Sequence, residues 1–237
     1  MPQLQKAKIV MTKKSFYMLQ QFNSAIYNRL TEVDDVKKNS NYNREILSHF
    51  GKVIFKYGYE KTMGISLIHR HFNLNKNEKM VSKITKHNFS WITTPSEIEE
   101  SNLIPVNWQF SNKNNICGFY PTEFLLNSTE YSVENLLFQK ISKDTNFLAE
   151  IAELLVKFKV TEIFGLSMLL GRLTPNIPNG KVLYEQNNHD TKTSNLTFVS
   201  TKMLSDPDAV THWHFEKKIE NGFEKFIPNN KRWCDHL

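Results

Sequence analysis

Apolar residues recur at three- and four-residue spacing in three stretches of this chain. Leu19, Phe22, Ile26, Leu30 and Val33 make the first, and with Ser15 as N-cap they predict an amphipathic helix from Ser15 to about Val36. The second stripe is Ile46, Leu47, Phe50, Val53 and Ile54, which predicts a helix from Asn43 to about Phe55 that Gly58 closes. The third is Phe147, Leu148, Ile151, Leu154, Leu155 and Phe158, a helix opening at Asp144 or Thr145. A further helix is expected over 132–142. Between these stretches the pattern is that of short strands.

The strand expectations run in chain order. Gly64–Leu74 reads as a strand, and Lys79–Thr85 with Asn88–Thr93 as a hairpin that Pro95 stops. Val106–Phe110 and Ile116–Tyr120 flank an Asn-rich loop, and Pro121–Leu126 leads away. Ile163–Leu170 is a strand closed by Gly171. Lys181–Gln186 and Asn195–Thr201 pair around a long polar loop, and Ala209–Phe215 is the last strand before a tail. This mixture predicts an α+β fold: a mainly antiparallel sheet with helices packed on one side, in a single domain over 1–237 with an N-terminal helical segment at 13–57.

Two stretches look alike. Ile54-Phe55-Lys56-Tyr57 before Gly64-Ile65-Ser66-Leu67 resembles Leu155-Val156-Lys157-Phe158 before Gly165-Leu166-Ser167-Met168, at constant offset. This leaves open two pseudo-repeated helix–strand halves, 43–126 and 132–215, in which His69 and His71 correspond to Leu170 and Arg172.

The candidate chemistry sits at the end of Gly64–Leu74. Side chains alternate along a strand, so Ile65, Leu67, His69 and His71 share one face. Two imidazoles at i and i+2 can converge on one ion or one substrate group, and Glu78 lies close enough in sequence to complete the set. His69, His71 and Glu78 are the catalytic candidates, and His69 and His71 the metal ligands if a metal is bound. Arg70 and Arg172 are lesser, substrate-binding candidates. Leu67-Ile68-His69-Arg70-His71-Phe72, then Leu74 and Glu78, resembles a motif of an uncharacterised family common in fungi and some protists. Phe147-Leu148-Ala149-Glu150 and Ile163-Phe164-Gly165-Leu166 are similar to that family's second half. The resemblance spans about 45–170 and implies a grouping without an activity.

His212-Trp213-His214-Phe215 is a second His-x-His pair. Trp213 and Phe215 mark the core side there, which turns both histidines toward solvent and argues against a joint four-histidine site. Two cysteines, Cys117 and Cys234, build neither a disulfide framework nor a Cys-rich zinc module. Cys117 reads as a structural strand residue.

Charge changes the picture little. The net +6 is scattered, densest at Lys6–Lys14 and Lys225–Arg232, which makes nucleic-acid binding the weakest reading. Glycine is too scarce for a phosphate-cradling loop. The N-terminus has no apolar signal region, and no apolar run reaches about eighteen residues. Cytoplasm or nucleus is the expected location, without a membrane. Two functional expectations remain: an enzyme with a histidine pocket, acting on a small molecule or peptide by general-base or metal chemistry, and a binding or scaffold protein with structural histidines.

Overall fold

The computed structural model describes residues 18–32, 35, 44–85, 89–113, 116–174, 176–203, 209–220 and 222–235. Ten strands make one sheet: β1 (Met63–Leu67), β2 (Lys79–Thr85), β3 (Ser90–Ser96), β4 (Leu103–Lys113), β5 (Ile116–Leu126), β6 (Phe164–Met168), β7 (Lys181–Asn188), β8 (Thr193–Ser200), β9 (Ala209–Glu220) and β10 (Phe223–Asp235). The order is β1-β6-β4-β5-β2-β3-β8-β7-β10-β9, and β9 pairs with β1 to close a barrel. Among the described residues every strand has a pairing neighbour on both sides. Eight of the ten ladders are antiparallel; β2–β5 and β7–β10 are parallel.

Among the described residues, α-helices accompany the barrel: α1 (Ser24–Tyr27), α2 (Arg44–Lys56), α3 (Ser132–Lys143) and α4 (Thr145–Lys157). The apolar stripe of α2 lies over β1, β9 and β10, and α2 packs on α4. Cross-strand partners share a face, so Ile65, Leu166, Trp108 and Trp213 stand together toward the helices. Phe164 meets Trp213 edge-on at 5.7 Å, and Phe50 meets Phe164 at 6.2 Å. The opposite, inward face of the same strands carries Ser66, Ser167, Asn107 and His212.

Helix ends follow local chemistry. Gly58, at φ 71°, ends α2, with Tyr59 N–H returning to the Ile54 carbonyl. Lys159, at φ 56°, does the same for α4, with Val160 N–H to the Leu155 carbonyl. Asp144 caps α4 by accepting from Phe147 N–H at 3.1 Å.

Several expectations are corrected. Among residues 18–32 the helix expected over 15–36 is reduced to the single turn α1, which the Asn23 side chain caps while Leu19 bridges to Phe119 on β5; the rest of that range, apart from residue 35, lies outside the described residues. The strand expected over Gly64–Leu74 ends at Leu67. Pro95 lies inside β3 beside Met80: β8 pairs only with Trp91–Thr93, so no ladder needs the missing N–H. Pro121–Leu126 continues β5, and the long polar loop between β7 and β8 contracts to four residues, 189–192. The tail after Phe215 is the β9–β10 hairpin that closes the barrel. Ser15 and Asn43 as caps, most of the linker at 34–43 and the cluster Lys6–Lys14 lie outside the described residues, as does the side chain of Cys234.

Candidate functional site

After Leu67 the chain leaves the ladder. Ile68 N–H bonds to the Ile163 carbonyl, and Arg70 reaches out to the Asn28 carbonyl and Glu32. The segment between turns both histidines into the barrel. His69 Nδ1 lies 3.0 Å from the Leu67 carbonyl. A carbonyl only accepts, so Nδ1 carries a proton. The His71 backbone N–H donates to the Tyr27 hydroxyl at 3.3 Å. Burial, above all, pushes that phenol's pKa well up, which keeps it protonated.

His71 Nε2 stands 3.7 Å from Glu123 Oε1 and 3.7 Å from Glu185 Oε1. Glu123 is on β5 and Glu185 on β7, four places apart in the ring of ten, so one imidazole spans two walls of the barrel. Each carboxylate has a supporting donor: Asn107 Nδ2 to Glu123 Oε2 at 2.5 Å, and Ser194 Oγ to Glu185 Oε1 at 2.5 Å. The two imidazole rings meet edge-on, centroids 4.6 Å apart. Ligand atoms of His69, His71 and Glu185 all lie within 4.8 Å of one another. All four residues are buried, Glu185 with 1% of its surface exposed. They border a cavity of about 20 Å³ with Ser66, Thr122, Asn107 and His212, room for roughly one water or one ion.

Burial makes this cluster electrostatically demanding, since a buried carboxylate that loses its partner costs of order 3 to 5 kcal/mol.

A second cavity of about 740 Å³ adjoins the first, because Asn107, Glu123 and His212 line both. Its walls come from β3, β4, β5, β7 and β9, on opposite sides of the ring, so it occupies the barrel interior. Trp91, Val106, Met168, Leu170 and Leu183 supply apolar surface, and Glu60, Lys61, Lys217 and Lys218 stand at its rim. The volume is in the range of small-molecule sites, roughly 300–1,000 Å³.

The sequence candidates therefore separate. His69 and His71 come together, though not on the face of Ile65, since the strand alternation ends at Leu67. Glu78 instead closes its own turn, accepting from Asn75 N–H at 2.8 Å and Asn75 Nδ2 at 3.0 Å. Arg70 belongs to the outer contact with Glu32 and the Asn28 carbonyl. Arg172 is held by α3, its Nε 3.0 Å from Glu134 Oε1. His212 and His214 face the large cavity, half-buried, rather than solvent, while Trp213 and Phe215 are buried as expected. Cys117 borders neither cavity, and burial raises its thiol pKa. Glu123, Glu185, Asn107 and Tyr27 were not among the sequence candidates. A carboxylate inside an apolar strand run, as in Thr122-Glu123-Phe124 and Leu183-Tyr184-Glu185, was the available signal.

No family model, curated protein or solved structure matches this chain.

Proposed function

We propose that this barrel is a metal-dependent enzyme acting on a small molecule, with His69, His71 and Glu185 holding one first-row divalent ion and Glu123 beside it as proton acceptor. The observation that carries this reading is the gathering of one ligand atom each from His69, His71 and Glu185 within 4.8 Å of one another, with His71 Nε2 and Glu185 Oε1 at 3.7 Å. That last separation is long for a hydrogen bond. Two ligands on one ion at bond lengths of roughly 2.0–2.2 Å lie about 3.4 Å apart in tetrahedral geometry. The supporting contacts fit as well: a ligating histidine ordinarily donates its other N–H to a carbonyl, as His69 does to Leu67. Two imidazoles and a carboxylate suit zinc or ferrous iron. Such an ion lowers the pKa of a bound water toward about 7. Glu123, which borders both cavities, stands where it can take that water's proton and meet a substrate arriving from the large cavity.

The test is metal analysis after purification and after loading with zinc or ferrous iron. Wild-type protein should hold close to one equivalent. The His71→Ala and Glu185→Gln variants should hold little, with circular dichroism unchanged. Equal metal content in wild type and both variants would remove the proposal and favour structural histidines.

A further inference from the structure

The large cavity suggests what kind of molecule reaches the metal site. We infer that it binds a compound with an apolar body and one oxygen-bearing end, of the class of a medium-chain acyl derivative. The body lies against Trp91, Met168, Leu170 and Leu183, and the oxygen end reaches Asn107 and Glu123 at the floor. This rests on the metal reading for its polar end only.

Three observations carry the inference. The cavity walls are built largely of aliphatic and aromatic side chains, so an apolar body gains by leaving water. Asn107, Glu123 and His212 supply polar groups where the large cavity adjoins the small one, and the charged residues Glu60, Lys61, Lys217 and Lys218 stand at the rim. The apolar wall thus lies between a polar floor and a polar mouth, and a ligand reaching the floor presents a polar end there. The volume of about 740 Å³ equals roughly 25 waters at about 30 Å³ each, which suits a chain or ring system of modest size and excludes a folded partner. The wet rim at Lys61, Lys217 and Lys218 gives entry from solvent on one side.

Isothermal titration with three probes tests this: acetohydroxamate, octanohydroxamate and octanol, each against zinc-loaded and chelator-treated protein. A hydroxamate supplies two oxygens for a metal, and the alkyl chain tests the cavity. Affinity should rise about fourfold per methylene between the two hydroxamates. Octanol should bind in both forms of the protein. The substitution Leu183→Trp, which fills the wall, should abolish the chain-length gain and leave acetohydroxamate and metal content unaltered. Leu170→Phe gives a second filled variant if the first does not fold. Equal affinity for the short and long hydroxamates, or a gain that both filled variants retain, would overturn the inference. A protein that takes no metal yet binds octanol, and loses it on filling, keeps the apolar-body inference and refutes the metal reading alone.

Discussion

The ends of β1 and β6 are built alike and used differently. The two strands pair antiparallel about Ile65 and Leu166, and each passes its next N–H to the loop before the other: Ile68 to the Ile163 carbonyl, Leu169 to the Thr62 carbonyl. Exchanging β1–β5 with β6–β10 leaves the strand order of the barrel unchanged. The β4–β5 ladder has its irregularity at Asn107 and Glu123, the β9–β10 ladder at His212 and Arg232. Yet after β1 come His69 and His71, buried between two carboxylates, and after β6 come Leu170, facing the large cavity, and Arg172, paired with Glu134 toward the surface. The same contrast recurs on the facing hairpins. In one, Trp91 Nε1 donates to Ser82 Oγ at 3.1 Å; in the other, Ser194 Oγ donates to Glu185. A bulky ring fills space in the first, and a carboxylate is held ready in the second. The strand order and the contacts at these two strand ends are alike, and the chemistry comes from a few inward positions.

The frame can be broken at its two closest approaches. A Cβ on Gly64 would lie 2.3 Å from the Trp213 carbonyl oxygen, and one on Gly165 2.2 Å from that of Trp108. Backbone cannot retreat as a flexible side chain can. Gly64→Ala and Gly165→Ala should therefore each destabilise by about 3 kcal/mol or more, the upper end of overpacking costs, in urea unfolding. Similar losses would show that the two strands do the same structural work; a mild effect at one alone would break the equivalence.

The chemistry separates the halves at the next level. Arg172→Leu leaves the buried Glu134 without its guanidinium partner, although Arg172 is itself 41% exposed. A loss of about 1–2 kcal/mol is expected, between surface and buried ion pairs, with metal content unchanged. Under the proposed metal reading His71→Leu should instead abolish metal binding, and by taking away the imidazole between Glu123 and Glu185 it should also lower the urea stability of the metal-free protein, by up to about 3–5 kcal/mol. Loss of metal in the Arg172 variant would show that the β6 end supports the site after all.

The helices Arg44–Lys56, Ser132–Lys143 and Thr145–Lys157 and the two histidines were readable because each depends on local pattern: the stripe Leu47, Phe50, Ile54 and the pair His69, His71 need no knowledge of the rest of the chain. The match of Gly64-Ile65-Ser66 with Gly165-Leu166-Ser167 likewise marked two strands that turn out to be neighbours. Barrel closure was not readable, because β9 and β10 carry charges such as Glu216, Lys217, Lys218 and Glu224 with no clean alternation, and what fixes them is pairing across long sequence distance. Nearness in sequence favoured Glu78, whereas Glu185 reaches His71 only once the sheet has closed.

The smallest effect concerns how the two helices clasp each other's following segment. Glu150 on α4 accepts from Tyr57 Oη at 2.7 Å and pairs with Lys56, at the end of α2. In the reciprocal place, His49 on α2 meets the Phe158 ring after α4, centroids 5.0 Å apart. Burial pushes the Glu150 carboxyl up, but the bonds from Lys56 and Tyr57 and the lysine charge outweigh it and hold its pKa below the ordinary value of 4.5. A carboxylate whose folded pKa is depressed stabilises the fold above its unfolded pKa and loses that contribution as pH falls through the folded value. Lys56 is well exposed, so solvent screening limits the contribution to about 1 kcal/mol or less. Urea unfolding of Glu150→Gln should thus fall below wild type by that amount at pH 7, with the gap closing below about pH 4.5. The His49–Phe158 contact has no such carboxylate, so His49→Leu should not change the acid limb. A Glu150→Gln gap that persists unchanged at pH 3 would show that the polar clasp stabilises through packing, as its ring counterpart does, and would erase this difference between the halves.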